Sequence, residues 1–470
     1  MVVATVCIGA FMGQVDASIA QLVLPHLEHD FGVRLSLVSW VAVGYLLTQA
    51  ALLPVFGRLA DIRGRKLLYI GGFLLFIAGS AACALAPGIG WLIGFRVVQA
   101  VGAAMLSSNS VAIIVAIVPR GERGRALGWQ ATAQALGLSL GPVIGGALLQ
   151  SLDWRWVFWI NVPVGLVGTA AAWAVLPVTR DADRGRTLDI PGALLLVPAL
   201  LALLLAVNQA QDWGGALAPV TLAVAGLAVA LLAIFLAVEK RRDGPLVDPR
   251  LLRDRRILAG SLAGMASYGM LFGLFLAMPF VFARVFADPP MVAGLRLAAI
   301  PAAMGLVAPV SGALSERLEA RLLTIPGMML CLAGLVWLWR SLATGAPAEW
   351  AVVAAIALVG AGQGLFISPN NRAIMSAAPR PMRGEAGSVM NVFRAVGMSL
   401  GIAAATAVLA GRLAATAGPA ATTLTAPAAD VAGAVAGVTA VLIGFALAAL
   451  VLSQLPGRQP ASSVPLPPPD

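Results

Sequence analysis

Stretches of about 20 apolar residues follow one another along almost the whole chain, the length an α-helix needs to cross a hydrocarbon layer about 30 Å thick. LLLVPALLALLLAV at 194–207 and VTLAVAGLAVALLAIFLAV at 220–238 are two of them. No water inside such a layer satisfies the backbone, so only helices and closed barrels cross it. The two-residue alternation of barrel strands is missing, which leaves an all-α membrane protein. Composition agrees: 60% of the 470 residues are hydrophobic and 11% charged, against about 25% charged in an average soluble domain. The segment from Met1 has neither a basic start nor a small-residue cleavage pattern, and is expected to remain as the first span.

Fourteen spans are expected, near 4–24, 36–56, 67–86, 91–115, 126–150, 156–176, 188–208, 217–238, 257–283, 291–314, 322–342, 349–371, 384–411 and 431–454. The loops after the even-numbered spans, with the C-terminal tail, hold 23 of the 31 Lys and Arg residues. By the positive-inside rule these loops and both termini are cytoplasmic, in a multi-pass protein of the plasma (inner) membrane. That topology accounts for the net charge of +10 better than nucleic acid does, because the basic residues form short clusters between spans rather than one polar face. The tail from Pro456 cannot pack as an element and reads as disordered.

The chain repeats itself. PRGERGRA at 119–126 corresponds to PRPMRGEA at 379–386, and GLSLG at 137–141 to GMSLG at 397–401, both 260 positions apart. GRLADIRGRKLL at 57–68 pairs with GALSERLEARLL at 312–323 at an offset of 255, and LVLP at 22–25 with LAMP at 276–279 at 254. Spans 1–6 therefore correspond to spans 9–14 in the same orientation, while spans 7 and 8 have no counterpart. The expected organisation is a six-helix bundle over 1–176, a linker with two extra transmembrane helices over 177–256, a second six-helix bundle over 257–455 and a tail over 456–470. A pseudo-two-fold axis would relate the bundles, as in transporters whose halves rock about a central site.

Several residues stand out against this apolar background. After span 2, Gly57, Leu59, Asp61, Gly64, Arg65 and Lys66 spell G-x-L-x-D-x-x-G-R-K. The glycines permit a tight turn, and the carboxylate can face a helix N-terminus. Arg96 and Gln99 in span 4 lie three apart on one helix face. An arginine at membrane depth needs an acid, backbone carbonyls or a wet cavity around it. Span 5 carries Gly137, Gly141, Pro142, Gly145 and Gly146, a stripe for close helix approach with a proline bend. Asp16 opens DASIAQLVLP in the second half of span 1, where a carboxyl suits proton binding and release, or pairing within the bundle. It is the only acid placed in mid-membrane.

The loop after span 2 resembles the signature of the major facilitator superfamily, with Ile62 where that family usually has a basic residue. FRVVQA resembles its R-x-x-Q-G motif, with Ala100 for the glycine. The span 5 stripe is similar to its antiporter signature. The run from Asp16 resembles the first-helix motif of the fourteen-spanner drug:proton antiporters, with Ser18, Ala20 and Gln21 as departures. WRWVFWINVPVG at 154–165 and Asn391, Arg394, Gly397 and Gly401 resemble that family's patterns as well. The resemblance implies a conformational latch at Gly57, Asp61, Gly64, Arg65 and Lys66, and proton coupling through Asp16 and Arg96. A substrate cavity would have Trp129, Gln130, Gln134, Gln363, Asn391 and Arg394 as polar contacts.

Other signals point away from chemistry. The two lysines precede Leu67 and Arg241, so no Walker A motif exists and ATP is not expected as a partner. GLSLG fits G-x-S-x-G in a helix, without the strand-to-helix elbow a hydrolase needs. His26 and His29 fall beside Glu28 and Asp30 in what reads as the first extracellular loop, as water-facing polar residues rather than ligands of a metal. Cys7, Cys83 and Cys331 read as small core residues. The expectation is a transporter rather than an enzyme, without cofactor, exporting amphipathic or cationic organic compounds against protons. A dedicated exporter of one metabolite is the alternative, and a non-transporting receptor a weaker one.

Overall fold

The computed structural model describes residues 1–119, 122–177, 190–210, 213–240, 249–344, 347–379, 382–418 and 422–455. The polar stretch 178–187, part of the charged stretch after Glu239 and the tail from Pro456 lie outside them. Every regular element among the described residues is helical. Thirteen helices are long and apolar enough to cross a membrane, and a shorter apolar stretch, Leu194–Val207, accompanies them at the place of the seventh expected span.

The chain begins with α1 (Val2–Phe31), α2 (Leu35–Val38), α3 (Trp40–Arg63), α4 (Arg65–Ala84), α5 (Ile89–Ile117), α6 (Arg123–Ser151), α7 (Trp156–Trp159) and α8 (Asn161–Val175). Next come α9 (Ile190–Asn208), α10 (Pro219–Glu239) and the short α11 (Pro249–Arg253). The last part holds α12 (Arg255–Phe280), a π-helical turn (Val281–Val285), α13 (Pro290–Leu297), α14 (Ala299–Leu314), α15 (Arg321–Ala343), α16 (Glu349–Ala377), α17 (Arg383–Ala417) and α18 (Ala428–Leu452).

The first helix runs past its expected end at residue 24. Pro25 is accommodated inside α1, and the helix stops only where Gly32 takes the left-handed conformation (φ 61°) and its N–H caps the Glu28 carbonyl. His26, Glu28, His29 and Asp30 are therefore helical residues rather than loop residues. Glu28 is buried, which corrects its placement in a loop beside the histidines. His29 and Asp30 are exposed and pair with each other.

Bare backbone holds the helices close. A Cβ on Gly102 of α5 would lie 2.5 Å from the Phe76 nitrogen and 2.7 Å from the Gly72 carbonyl of α4. Gly362 of α16 meets α15 alike, 2.5 Å from the Gly327 carbonyl and 2.8 Å from the Cys331 nitrogen. On α6, Gly137 abuts the Phe11 carbonyl of α1; on α17, Gly397 abuts the Met265 carbonyl of α12. Gly141 meets Val15 and Ser18 of α1, as Gly401 meets Gly269 of α12. Each contact recurs at the sequence offsets of 254–260.

Two seams join the first and last parts of the chain beside the α1–α12 contact. In one, α6 packs on α13 and α14; in the other, α17 packs on α2 and α3, with α9 lying against both α3 and α17. Gly146 sits against Pro290, Gly294 against the Pro142 carbonyl, and the Met291 N–H donates to Gln150 Oε1 at 3.2 Å. The glycine stripe of α6 thus has two faces, one against α1 and one against α13.

Candidate functional site

Asp16 lies on α1 where four other helical segments converge, and it is fully buried. Arg96 of α5 donates from Nη1 to Asp16 Oδ2 at 2.8 Å and to Gln99 Oε1 at 2.7 Å, and from Nε to the Val41 carbonyl of α3 at 3.0 Å. Gln99 Nε2 donates to Asp16 Oδ1 at 2.9 Å and to Ser80 Oγ of α4 at 2.6 Å. Asn161, the first residue of α8, donates to the same two oxygens at 3.0 and 3.1 Å. The guanidinium lies 4.2 Å from the Tyr45 ring centroid and 5.6 Å from that of Phe158, an aromatic bracket favourable to a desolvated cation.

Helical spacing explains why the chain can build this cluster. Arg96 and Gln99 share a face of α5 because they are three residues apart. Gly79 lets α4 approach so closely that a Cβ there would sit 2.6 Å from the Gln99 Cα, and this brings Ser80 within reach. Both readings of Arg96 from the sequence meet in one side chain, since it bonds a backbone carbonyl and an acid together. Two donors fill Oδ1 and Arg96 holds Oδ2, so three of the carboxylate's roughly four lone-pair sites are taken within the protein.

Ser80 and Asn161 were not singled out by sequence reasoning. Both are uncharged polar side chains interrupting an apolar run, and Asn161 also falls inside the WRWVFWINVPVG run at 154–165. The repeat makes the cluster's asymmetry plain. Asp16, Ser80, Arg96 and Gln99 correspond at the same offsets to Met270, Leu335, Ile356 and Val359, all fully buried and apolar.

The other predicted site residues scatter. Gly57 lies near the end of α3, Gly64 (φ 98°) joins α3 to α4, and the Asp61 side chain is outside the described residues. Arg65 donates to the Ala112 carbonyl of α5 at 2.6 Å and Lys66 to the Trp173 carbonyl in the last turn of α8 at 2.8 Å. The Trp173 carbonyl, in the last turn, carries the negative end of the α8 dipole. Gln363 is buried with its amide committed to Ser267 of α12, accepting from Oγ at 2.6 Å and donating to the carbonyl at 2.7 Å. Gln130 is buried, Gln134, Asn391 and Arg394 half-buried, and Trp129 exposed. The Arg394 guanidinium lies 5.6 Å from the Tyr268 ring centroid, and its buried Nε has no hydrogen-bond partner among the described residues. All three cysteines are free.

The sequence profile of the Major Facilitator Superfamily matches residues 6–402. The chain is 30% identical over 404 residues to the riboflavin transporter RibZ of Clostridioides difficile, covering 86% of each protein. It is 31% identical over 414 residues to the multidrug resistance protein Stp of Mycobacterium tuberculosis, covering 88% of this chain and 76% of that one. With the puromycin resistance protein pur8 of Streptomyces alboniger it shares 32% over 447 residues, 93% of this chain and 86% of the relative.

Proposed function

The chain belongs to the major facilitator superfamily, as a multi-pass membrane transporter rather than an enzyme, and on that premise we propose that it is a proton-driven exporter of amphipathic or cationic small organic compounds. The observation that carries this reading is the sealed Asp16–Arg96 pair, an intramembrane acid whose donors come from α5 and α8. Protonating Asp16 removes the charge that Arg96 pairs with and weakens the bonds from α5 and α8, so proton binding and helix position are coupled. Relatives named for multidrug and puromycin resistance support the substrate class.

The proposed arrangement is the fourteen-spanner one: a bundle over 1–176, an inserted pair over 177–256 and a second bundle over 257–455. The glycine contacts that recur between α1–α6 and α12–α17, and between α4–α5 and α15–α16, support it. With both termini cytoplasmic, the end of the molecule bearing Pro290 and the segment before α18 faces outward. Gly57, Asp61, Gly64, Arg65 and Lys66 act as the cytoplasmic latch, and the two-faced α6 stripe carries motion between bundles. Trp129, Gln130, Gln134, Asn391 and Arg394 line the cavity, with Gln363 joining them once it leaves Ser267.

The test is substrate-dependent proton flux in proteoliposomes with an imposed proton gradient, comparing the natural protein with Asp16→Asn. Coupled flux should disappear in the variant, while substrate exchange without a gradient, which a folded but uncoupled protein retains, should persist. Equal coupled flux from both removes Asp16 from the mechanism. A dedicated transporter of one metabolite is the second reading, favoured by the riboflavin-transporting relative. Flux confined to a single compound of a broad panel would establish it instead.

A further inference from the structure

Two buried polar side chains on α1 stand apart from the Asp16 cluster. Gln21 and Glu28 are each 1% exposed. They are seven residues apart, two turns on one face of the helix. Glu28 Oε2 accepts a hydrogen bond from Thr423 Oγ1, in the segment between α17 and α18, so this contact joins the first part of the chain to the last. The second oxygen, Oε1, has no partner among the described residues, and neither polar atom of the Gln21 amide has one. Arg284, on the π-helical turn, donates to the Ala426 carbonyl three residues past Thr423 at 3.1 Å, and its buried Nε is unpartnered among the described residues. Its charge acts on the Glu28 carboxyl.

Buried polar atoms left unpaired cost free energy that water would return. Three such atoms along one strip of α1, with a fourth on Arg284, mean that the closed seam is held against a pull toward hydration. The Glu28–Thr423 bond is the direct polar link opposing that pull on this strip. We propose that Glu28, fastened to Thr423 and flanked by Arg284, is the outward gate of the transporter: breaking the link opens the seam on that side and wets the strip down to Gln21. The proposal rests on the alternating-access reading above and assigns positioning residues, none of which touches the proton site.

The full-length protein in vesicles tests it, with Cys7→Ser to remove the half-buried native thiol and Gln21→Cys as the reporter for a membrane-impermeant maleimide added from outside. Thr423→Val and Glu28→Ala should each speed labelling on the order of tenfold, as expected for losing a buried hydrogen bond to a charged group. The double variant should be no faster than either single, because both remove one bond. Glu28→Gln keeps an acceptor for Thr423 and should stay within about twofold of the parent. A second reporter, Ala172→Cys, is buried in α8 away from this strip and should not respond. Unchanged labelling at position 21, or equal acceleration at position 172, overturns the gate. Labelling that responds in a protein without proton-coupled flux would leave the gate intact and remove only the proton drive.

Discussion

Deleting one charge of the Asp16–Arg96 pair should harm the protein more than deleting both. The two side chains are 0% and 1% exposed and 2.8 Å apart. Asp16→Asn leaves the guanidinium buried with no countercharge in the cluster, and turns an amide NH2 toward donors from Arg96, Gln99 or Asn161. Breaking a buried pair from one side costs about 3–5 kcal/mol. Arg96→Met should cost as much, since it leaves the carboxylate without its cation and removes the contact with Tyr45. In Asp16→Asn with Arg96→Met no uncompensated charge remains, and Gln99 and Asn161, both held by Ser80, can still donate to the amide oxygen at position 16. The double variant should therefore lose only about 1–2 kcal/mol, as replacement of a whole buried ion pair by neutral groups is often close to neutral. Tryptophan fluorescence of the purified protein, titrated from mild into denaturing detergent, reads these stabilities as a double-mutant cycle. A double variant as destabilised as the sum of the singles would refute the reasoning, because the pair would then contribute no coupling.

Two further outcomes follow from the packing and the charges. Gly146→Ala places a methyl 2.5 Å from the Pro290 carbonyl, so it should cost about 1–3 kcal/mol and slow substrate exchange; Gly128→Ala, with open space around its Cβ, should gain up to about 1 kcal/mol from helix propensity. The same unfolding assay compares them. Between α12 and α13, burial raises the Asp288 carboxyl above its ordinary value of 3.8, against the lowering pull of Arg296, whose Nη1 is 2.9 Å away. A raised acid stabilises the fold below its ordinary value and loses that contribution as the pH climbs through the raised one. The stability of the natural protein relative to Asp288→Asn should therefore fall as the pH rises from about 3.8, and more steeply in an Arg296→Gln background.

The helical class, Asp16, Arg96 and Gln99 were legible in the sequence because a charge inside an apolar run is expensive enough to demand a reason. Asn161 and Ser80 were not, since serine and asparagine cost a helix little and their importance lies in what stands opposite. Glu28 was misread for a local reason. Pro25 and the polar HLEHD run look like a span's end, but a helix tolerates a proline when neighbouring helices hold it, and α1 continues two turns to its glycine cap. Pairing Glu28 with Thr423 requires knowing that residues 395 positions apart meet at one seam. Repetition, by contrast, was readable from a few short matches, and in GLSLG and GMSLG the packing shows the reason: a Cβ on Gly137, Gly397 or Gly401 would strike another helix's backbone.

The apolar counterparts of the charged cluster bear on how a duplicated chain diverges. A backbone contact is needed in both copies, for without it neither copy packs, and so Gly102 and Gly362 both keep it. A buried ion pair gives packing no such return, and exchanging it for well-fitted hydrocarbon is often neutral or stabilising by about 1–4 kcal/mol. Once one copy holds the charge, nothing in folding asks the other to do so, and Met270 with Ile356 is the cheaper inheritance. A packing contact is thus kept at both positions of the repeat and the ion pair at one, so the positions of Met270 and Ile356 are free to change among apolar residues while those of Asp16 and Arg96 are tied to each other.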